Sequence, residues 1–398
     1  MAKKIARKPV PGLSAPRRPA ARPAPAAARK PKEAPAAPPA RPPKATAGEL
    51  ELLRELSNAV AVSGDEGAVR RIVLDAIRGH IDEVKVDALG NVLALKRGTE
   101  TQGGRAARVL VAAHMDEVGV MVTGFDAEGA LRFEVVGAMD ERVLPGRALL
   151  IGPRRLPGVI GVAPVHLLNA ERRGKAVKAG QLRIDLGVDS EAAARKLVAP
   201  GDRGTFAAEF AALGPSLRGK ALDDRLGCAT LVELVRGGPY GFDLHAAFTV
   251  QEEVGVRGAK VAGYAADPLC AFVLDCTPAL DLPDSRGREN TQYNARLGGG
   301  PAIYVADRGT ISDQRLVRYL QQTAESAGIP CQLRQPGGGG TDAGAIHLAR
   351  GGVPSVSVSV PGRYLHTSAA MVRAEDWRNT VKLMRLALEN WTPKVLKR

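Results

Sequence analysis

Three short apolar runs, rich in Ala, Val and Leu, each lead up to a histidine or an acidic residue. Residues 107 to 113, "ARVLVAA", precede His114. The run "LHAAFTV" leads to Glu252 and Glu253, and "LCAFVL" leads to Asp275. Apolar runs of this length, alternating with helical patterns, predict strands buried on both faces in a mostly parallel sheet. Open sheets of that kind bind ligands beyond the carboxyl ends of their strands. Three polar clusters are thus expected at one edge of the sheet, joined by Asp223 in "KALDDRLG" and His366 in "YLHTS" from adjoining loops.

The rest of the pattern fits this frame. Helices are expected from Ala47, from Ser63, where "SGDE" resembles a capping box, and from Ser312, and a hairpin at 84 to 98 turns around Leu89 to Asn91. Between Val120 and about Leu213, short strand-like runs are broken by Gly and Pro, with helical signal near Ser190 to Leu197. The expected organisation is a basic arm over 1–46, an α/β domain over 47–120 and 213–398 with a mostly parallel sheet flanked by helices, and an inserted small β-barrel-like domain over 121–212. A Gly-rich loop, "QPGGGGTDAG", leads into a helix but lacks the lysine of a phosphate loop, so it is expected to line a substrate. The final helix carries Trp377, Val381, Met384 and Leu388 at core spacing.

Charge separates the arm from the body. The net charge is +14, yet residues 1 to 48 hold twelve Lys or Arg against one acid, Glu33, which leaves +3 for everything after them. Ala, Pro, Lys and Arg in that proportion cannot form a core, so the arm is expected to be extended and disordered. If nucleic acid binds at all, it is expected to bind there. No apolar run is long enough for a secretory leader or a membrane span, and the four cysteines show no CxxC spacing. A cytoplasmic location with free, core-packed thiols is therefore expected.

Mixed imidazole and carboxylate donors suit Zn²⁺ or Co²⁺, and also Mn²⁺, better than Ca²⁺. Each segment alone is weak evidence: paired glutamates are usually a solvated surface pair, and an aspartate after a strand is often a helix cap. Five such elements at strand ends or in adjoining loops point to a hydrolase with two metal ions, in which one of two adjacent glutamates can bind metal while the other serves as general base. Either Asp223 or Asp224 could bridge the metals.

The blocks "HMDEVGVMV", "GKALDDRLG", "VQEEVGVRGA", "VLDCT", "GTDAG" and "YLH" resemble the signature of the M42 family of metallo-aminopeptidases, the tetrahedral or TET type, which includes glutamyl and deblocking aminopeptidases. The resemblance spans about residues 48 to 392, including "PGVIGVAPVHLL" and "IDLGVDS", and leaves the arm outside. It implies a zinc-peptidase fold of the phosphorylase/hydrolase-like kind and two divalent metal ions per subunit. One would be held by His114, Asp223 and Asp275, the other by Asp223, Glu253 and His366. Motif position makes Asp223 the bridge and leaves Asp224 to cap the helix from Arg225. Glu252 would be the general base and Asp116 would orient His114. Peptide substrates are implied, and a homododecamer built through the inserted domain.

The segment "HTSAAMV" departs from the family's usual residues after the last histidine. Asp342 is a candidate contact for the substrate amine, and Tyr364 a candidate for the wall of the site. A related deacylase or carboxypeptidase shares the metal logic but needs a cationic anchor for a substrate carboxylate. Glycoside hydrolysis normally relies on two flanking carboxylates instead.

Overall fold

In the computed structural model, the strand Arg108–His114 is buried at every residue after Arg108. Its side chains alternate between two cores, as strand geometry requires. Val109, Val111 and Ala113 join the larger core, with Phe272, Leu274, Val356 and Val358 from neighbouring strands. Leu110 and Ala112 join the smaller one, with Ala271 and Val273. The structure describes residues 47–101, 106–282 and 295–397, and those before 47 hold the expected arm, which lies outside the described residues.

The main sheet runs in the order Glu83–Val86, Val92–Lys96, Asp243–Thr249, Arg108–His114, Cys270–Pro278, Ser355–Arg363, Ala370–Arg373, Ser216–Gly219, Ala211–Leu213. Ala302–Tyr304 pairs with Ser355–Arg363 and carries Gln332–Arg334 at its side. The four strands from Asp243–Thr249 to Ser355–Arg363 are parallel. Helices Ala47–Asn58, Gly67–Ile77, Leu222–Arg236, Gln314–Ser326 and Ala374–Glu389 cover the face with the larger core. Arg257–Ala266 and Ala343–Ile346 cover the other, where small residues let helix and sheet approach closely. Trp377, Met384 and Leu388 are buried in the larger core, with Val381 packed against it.

Register sets the height of the functional residues. Thr249 pairs with His114, so Glu252 and Glu253 follow just beyond the same edge. Val273 pairs with Ala112, which brings Asp275 level with His114.

Six strands close a barrel in the order Gly119–Phe125, Leu131–Val136, Arg183–Asp185, Leu156–Gly161, Ala148–Ile151, Arg203–Phe206. Val122, Phe133, Leu149, Ile160, Ile184 and Phe206 fill its interior. The barrel strands run from Gly119 to Phe206, whereas Ala211–Leu213 belongs to the main sheet. From residue 47 onward the described residues pack as one compact unit.

Three local expectations change. The second helix starts at Gly67: Glu66 accepts the Gly64 N–H, and Ser63 donates to Asp116, so no capping box forms. Asp313, not Ser312, caps the helix Gln314–Ser326 by accepting the Arg315 N–H. The helix after the Gly-rich loop is only one turn, Ala343–Ile346. The hairpin forms as expected, with Val86 paired to Val92. Cys228, Cys270 and Cys276 are buried free thiols, and Cys331 is half-buried.

Candidate active site

His114, the last residue of its strand, points Nε2 at Asp223 Oδ1 at 3.2 Å and at Asp275 Oδ1 at 3.9 Å. His366 points Nε2 at Asp223 Oδ2 at 3.4 Å and at Glu253 Oε1 at 3.1 Å. Asp223 therefore presents one oxygen to each imidazole. The ligand-type atoms of His114, Asp223 and Asp275 lie within 4.8 Å of one another, and so do those of Asp223, Glu253 and His366. A third grouping, Asp223, Asp224 and Cys276, uses the same aspartate.

The backbone explains which aspartate faces the histidines. Asp223 and Asp224 sit in non-helical conformations at the start of Leu222–Arg236, joined by a cis peptide. Asp224 Oδ1 accepts the Gly227 N–H at 2.9 Å, the bond of an N-cap residue to the third residue of its helix. That turns Asp224 into the helix and leaves Asp223 to the cluster.

Both imidazoles are oriented from behind. His114 Nδ1 lies 3.1 Å from the Asp116 carbonyl oxygen and 3.4 Å from Asp116 Oδ1. His366 Nδ1 lies 2.6 Å from the Ala138 carbonyl oxygen, supplied by the loop that leaves the barrel strand Leu131–Val136. A carbonyl only accepts, so Nδ1 donates and each ring turns its Nε2 toward the cluster. Asp116 also ties the neighbouring segments together: it accepts from Ser63 Oγ at 2.6 Å, Glu252 N at 2.9 Å and Glu253 N at 3.1 Å.

The electrostatics are those of crowded, buried carboxylates. Burial and the neighbouring acids hold Asp275, Glu252 and Glu253 above the usual carboxylate range. For Asp223, burial pushes upward, but His114 and His366 outweigh it and hold the carboxyl low. For His366, burial disfavours the cation, yet Asp223 and Glu253 outweigh it and push the imidazole up to about 11.

The cluster opens onto a cleft of about 660 Å³ that Glu252, Gly338, Gly339 and Gly340 help to line. Asp342 and Tyr364 are not among its lining residues. Asp342 is buried, accepts from Thr249 Oγ1, leaves Oδ1 without a partner, and is pushed up to about 6 mainly by burial. Tyr364 is half-exposed at a left-handed backbone position. His347 stays out of the cluster, its Nδ1 on the Ala343 carbonyl.

Two features escaped sequence reasoning. Arg308 and Arg334 line the cleft, and Glu117, Lys220 and Arg225 form a buried ionic group behind it. Charges inside the otherwise apolar blocks "HMDEVG" and "KALDDRLG" were the available signal for the second.

Imidazole and carboxylate groups sharing one aspartate, at the carboxyl edge of a parallel sheet, define a hydrolase site of the metal-assisted kind. Comparison with known proteins makes this specific. The chain belongs to the M42 glutamyl aminopeptidase family, whose profile matches residues 90–383. It is 33% identical over 353 residues to the lysyl aminopeptidase of Pyrococcus furiosus, covering 86% of this chain and 97% of that one. It is likewise 33% identical over 347 residues to the glutamyl aminopeptidase of Lactococcus lactis, covering 84% and 94%. Among solved structures it is similar to the Pyrococcus horikoshii TET1 peptidase, which can assemble into a tetrahedron or a large octahedral shell. That match has a TM-score of 0.75 and 33% identity, and it covers 86% of this chain and all of the other. The fold is thus α/β with an inserted barrel, and the protein is a peptidase of the aminopeptidase type.

Proposed function

We propose that this chain is an aminopeptidase with two divalent metal ions, removing N-terminal residues from peptides. The observation that carries the reading is the shared carboxylate, Asp223, with one oxygen toward each of two imidazoles. The donors fit such ions: two imidazoles that turn Nε2 toward the cluster, and carboxylates whose crowding a cation would relieve. His114, Asp223 and Asp275 would hold one ion, and Asp223, Glu253 and His366 the other, with Zn²⁺ or Co²⁺ favoured by the mixed donors and Mn²⁺ also accommodated.

When bound, such ions acidify water and polarise the scissile carbonyl. Glu252 lines the cleft beside the cluster and binds neither cation in this assignment. Its carboxylate takes the proton of the attacking water and delivers it to the departing amine nitrogen. Asp116 acts from behind, fixing the His114 ring and the backbone N–H groups of both glutamates.

The cleft adds a preference. Beyond Glu252 and the proposed ligands, its charged lining residues among those described are Arg308 and Arg334. Arg334 is spent on structure: it donates to Thr277 Oγ1 and the Gly338 carbonyl and stacks over Tyr304. Arg308 is exposed and fixed through its backbone N–H to Gly339. Its side chain is available to a carboxylate, which supports an acidic N-terminal residue, the preference that a glutamyl aminopeptidase's name describes. Family membership favours this reading over a deacylase or carboxypeptidase.

The test is hydrolysis of aminoacyl-nitroanilides by protein stripped of metal and then supplied with Co²⁺ or Zn²⁺. Activity should return only with metal. Glu252→Gln should lose about 10²- to 10⁴-fold in kcat, the range of a general acid–base contribution, while retaining its metal. Robust turnover by Glu252→Gln would remove Glu252 from the role.

A further inference from the structure

Glu117, Lys220 and Arg225 are all buried, at 2%, 1% and 0% exposure. Lys220 Nζ donates to both Glu117 oxygens, at 2.8 and 2.9 Å. Arg225 donates to Glu117 Oε1 at 3.2 Å. The Ala61 N–H at 3.0 Å and Thr205 Oγ1 at 2.7 Å complete the carboxylate's partners. Burial alone would raise the Glu117 carboxyl, but Lys220 and Arg225 outweigh it and hold it ionised.

Buried ion groups are seldom more stabilising than apolar side chains of the same volume, because desolvation offsets the attraction. What these charges add is geometry. Glu117 lies three residues after His114, while Lys220 and Arg225 flank Asp223 at three before and two after. Arg225 also donates to the Met115 carbonyl and, at 3.2 Å, to the Asp116 carbonyl, the same oxygen that His114 Nδ1 contacts. Lys220 Nζ reaches the Ala59 carbonyl at 2.8 Å, just past the first described helix, and Arg225 Nε the Leu56 carbonyl at 3.0 Å within that helix's last turn. Thr205 brings in the barrel strand Arg203–Phe206.

We propose that Glu117, Lys220 and Arg225 are positioning residues: one buried carboxylate, through two cations, clamps the turn after His114 to the turn carrying Asp223, and Thr205 ties the barrel to that clamp. None of them touches substrate. The inference rests on the metal-holding reading of His114 and Asp223.

The test uses the full chain, stripped with chelator and titrated with Co²⁺ while its visible absorption is followed. Glu117→Gln keeps the shape and removes the charge. It is expected to bind Co²⁺ 10- to 100-fold more weakly, the usual effect of losing a group that orients ligands, with an altered absorption band and a fall in kcat larger than any change in KM. Asp376→Asn is the control, since Asp376 is buried and accepts the N–H groups of Gly298 and Gly300 away from the cluster. It should lower Tm and leave Co²⁺ affinity as in the unaltered chain.

A Glu117→Gln protein with unchanged Co²⁺ affinity and band, whatever its Tm, overturns the proposal. So does an equal loss of affinity in Asp376→Asn. Should Glu117→Gln not fold, Thr205→Val and Lys220→Arg take its place, each expected to weaken Co²⁺ binding several-fold, and unchanged affinity in both overturns the proposal. If the unaltered chain binds no Co²⁺, the metal-holding reading fails and this inference with it. Normal Co²⁺ binding in the unaltered chain and all variants removes the clamp alone.

Discussion

Arg308 is where substrate choice can be tested at a single side chain. With Arg334 committed to Thr277 and Gly338, Arg308 is the cation left among the cleft's described residues for the proposed contact with a substrate carboxylate. Arg308→Ala should lower kcat/KM for glutamyl-nitroanilide about tenfold, corresponding to a modest charge-assisted contact, and leave leucyl-nitroanilide nearly unchanged. Equal losses on both substrates would remove Arg308 from side-chain selection. Arg308 was invisible in sequence because nothing local distinguishes "DRGT" from any exposed turn; its place in the cleft comes from the Gly339 contact across the loops. His114 was more legible, since a histidine that ends an apolar run has only the carboxyl edge of the sheet to occupy.

Elements hold the glutamates in place. The helix Arg257–Ala266 starts tight against the end of Asp243–Thr249: Gly258 N–H donates to the Val250 carbonyl at 2.9 Å, and Asn91 Oδ1 accepts the Val250 N–H at 2.9 Å. A Cβ at Gly258 would lie 2.6 Å from the Val250 nitrogen and closer still to its carbonyl oxygen. Gly258→Ala should therefore cost about 1–3 kcal/mol by overpacking, seen as a lower Tm, and should reduce kcat by shifting the segment that carries Glu252.

A second element-scale test concerns acid. The strand Ser355–Arg363 ends in a two-bond ion pair, Arg363 Nε and Nη2 to the Asp281 carboxylate at 2.6 and 2.9 Å. Burial would raise Asp281, but Arg363 outweighs it and the carboxyl sits below its ordinary value. The pair's stabilisation is thus present above the unfolded carboxyl's pKa of about 4 and is lost as pH falls through the lower folded value. Arg363→Met should flatten this part of the acid limb of Tm against pH. An unchanged limb would show that the pair contributes nothing measurable.

At the scale of the whole molecule, the barrel exposes apolar side chains that its own core does not use. Val165 is 65% exposed and Leu167 71%, with Val159 and Val162 near half. Exposed patches of this kind mark association surfaces. A homo-oligomer with subunit contacts on the barrel is the expectation to test. Leu167→Asp should reduce the native mass to a smaller species while leaving a folded subunit, and an unchanged mass would move the interface elsewhere. No described helix is long and apolar enough to cross a membrane.

The sequence alone determined the buried parallel strands, because their apolar runs leave no polar face, and the height of His114, Glu252, Glu253 and Asp275 at their ends. It also separated the basic arm from a nearly neutral body. The tertiary structure decided which aspartate faces the histidines, because Asp224 bonds to the helix N-terminus and Asp223 does not. It decided that Ser63 serves Asp116 rather than a helix start, and that Glu117 joins Lys220 and Arg225 across more than a hundred residues of chain. Such contacts depend on how loops from distant strands meet at one sheet edge, a relation that local periodicity does not encode.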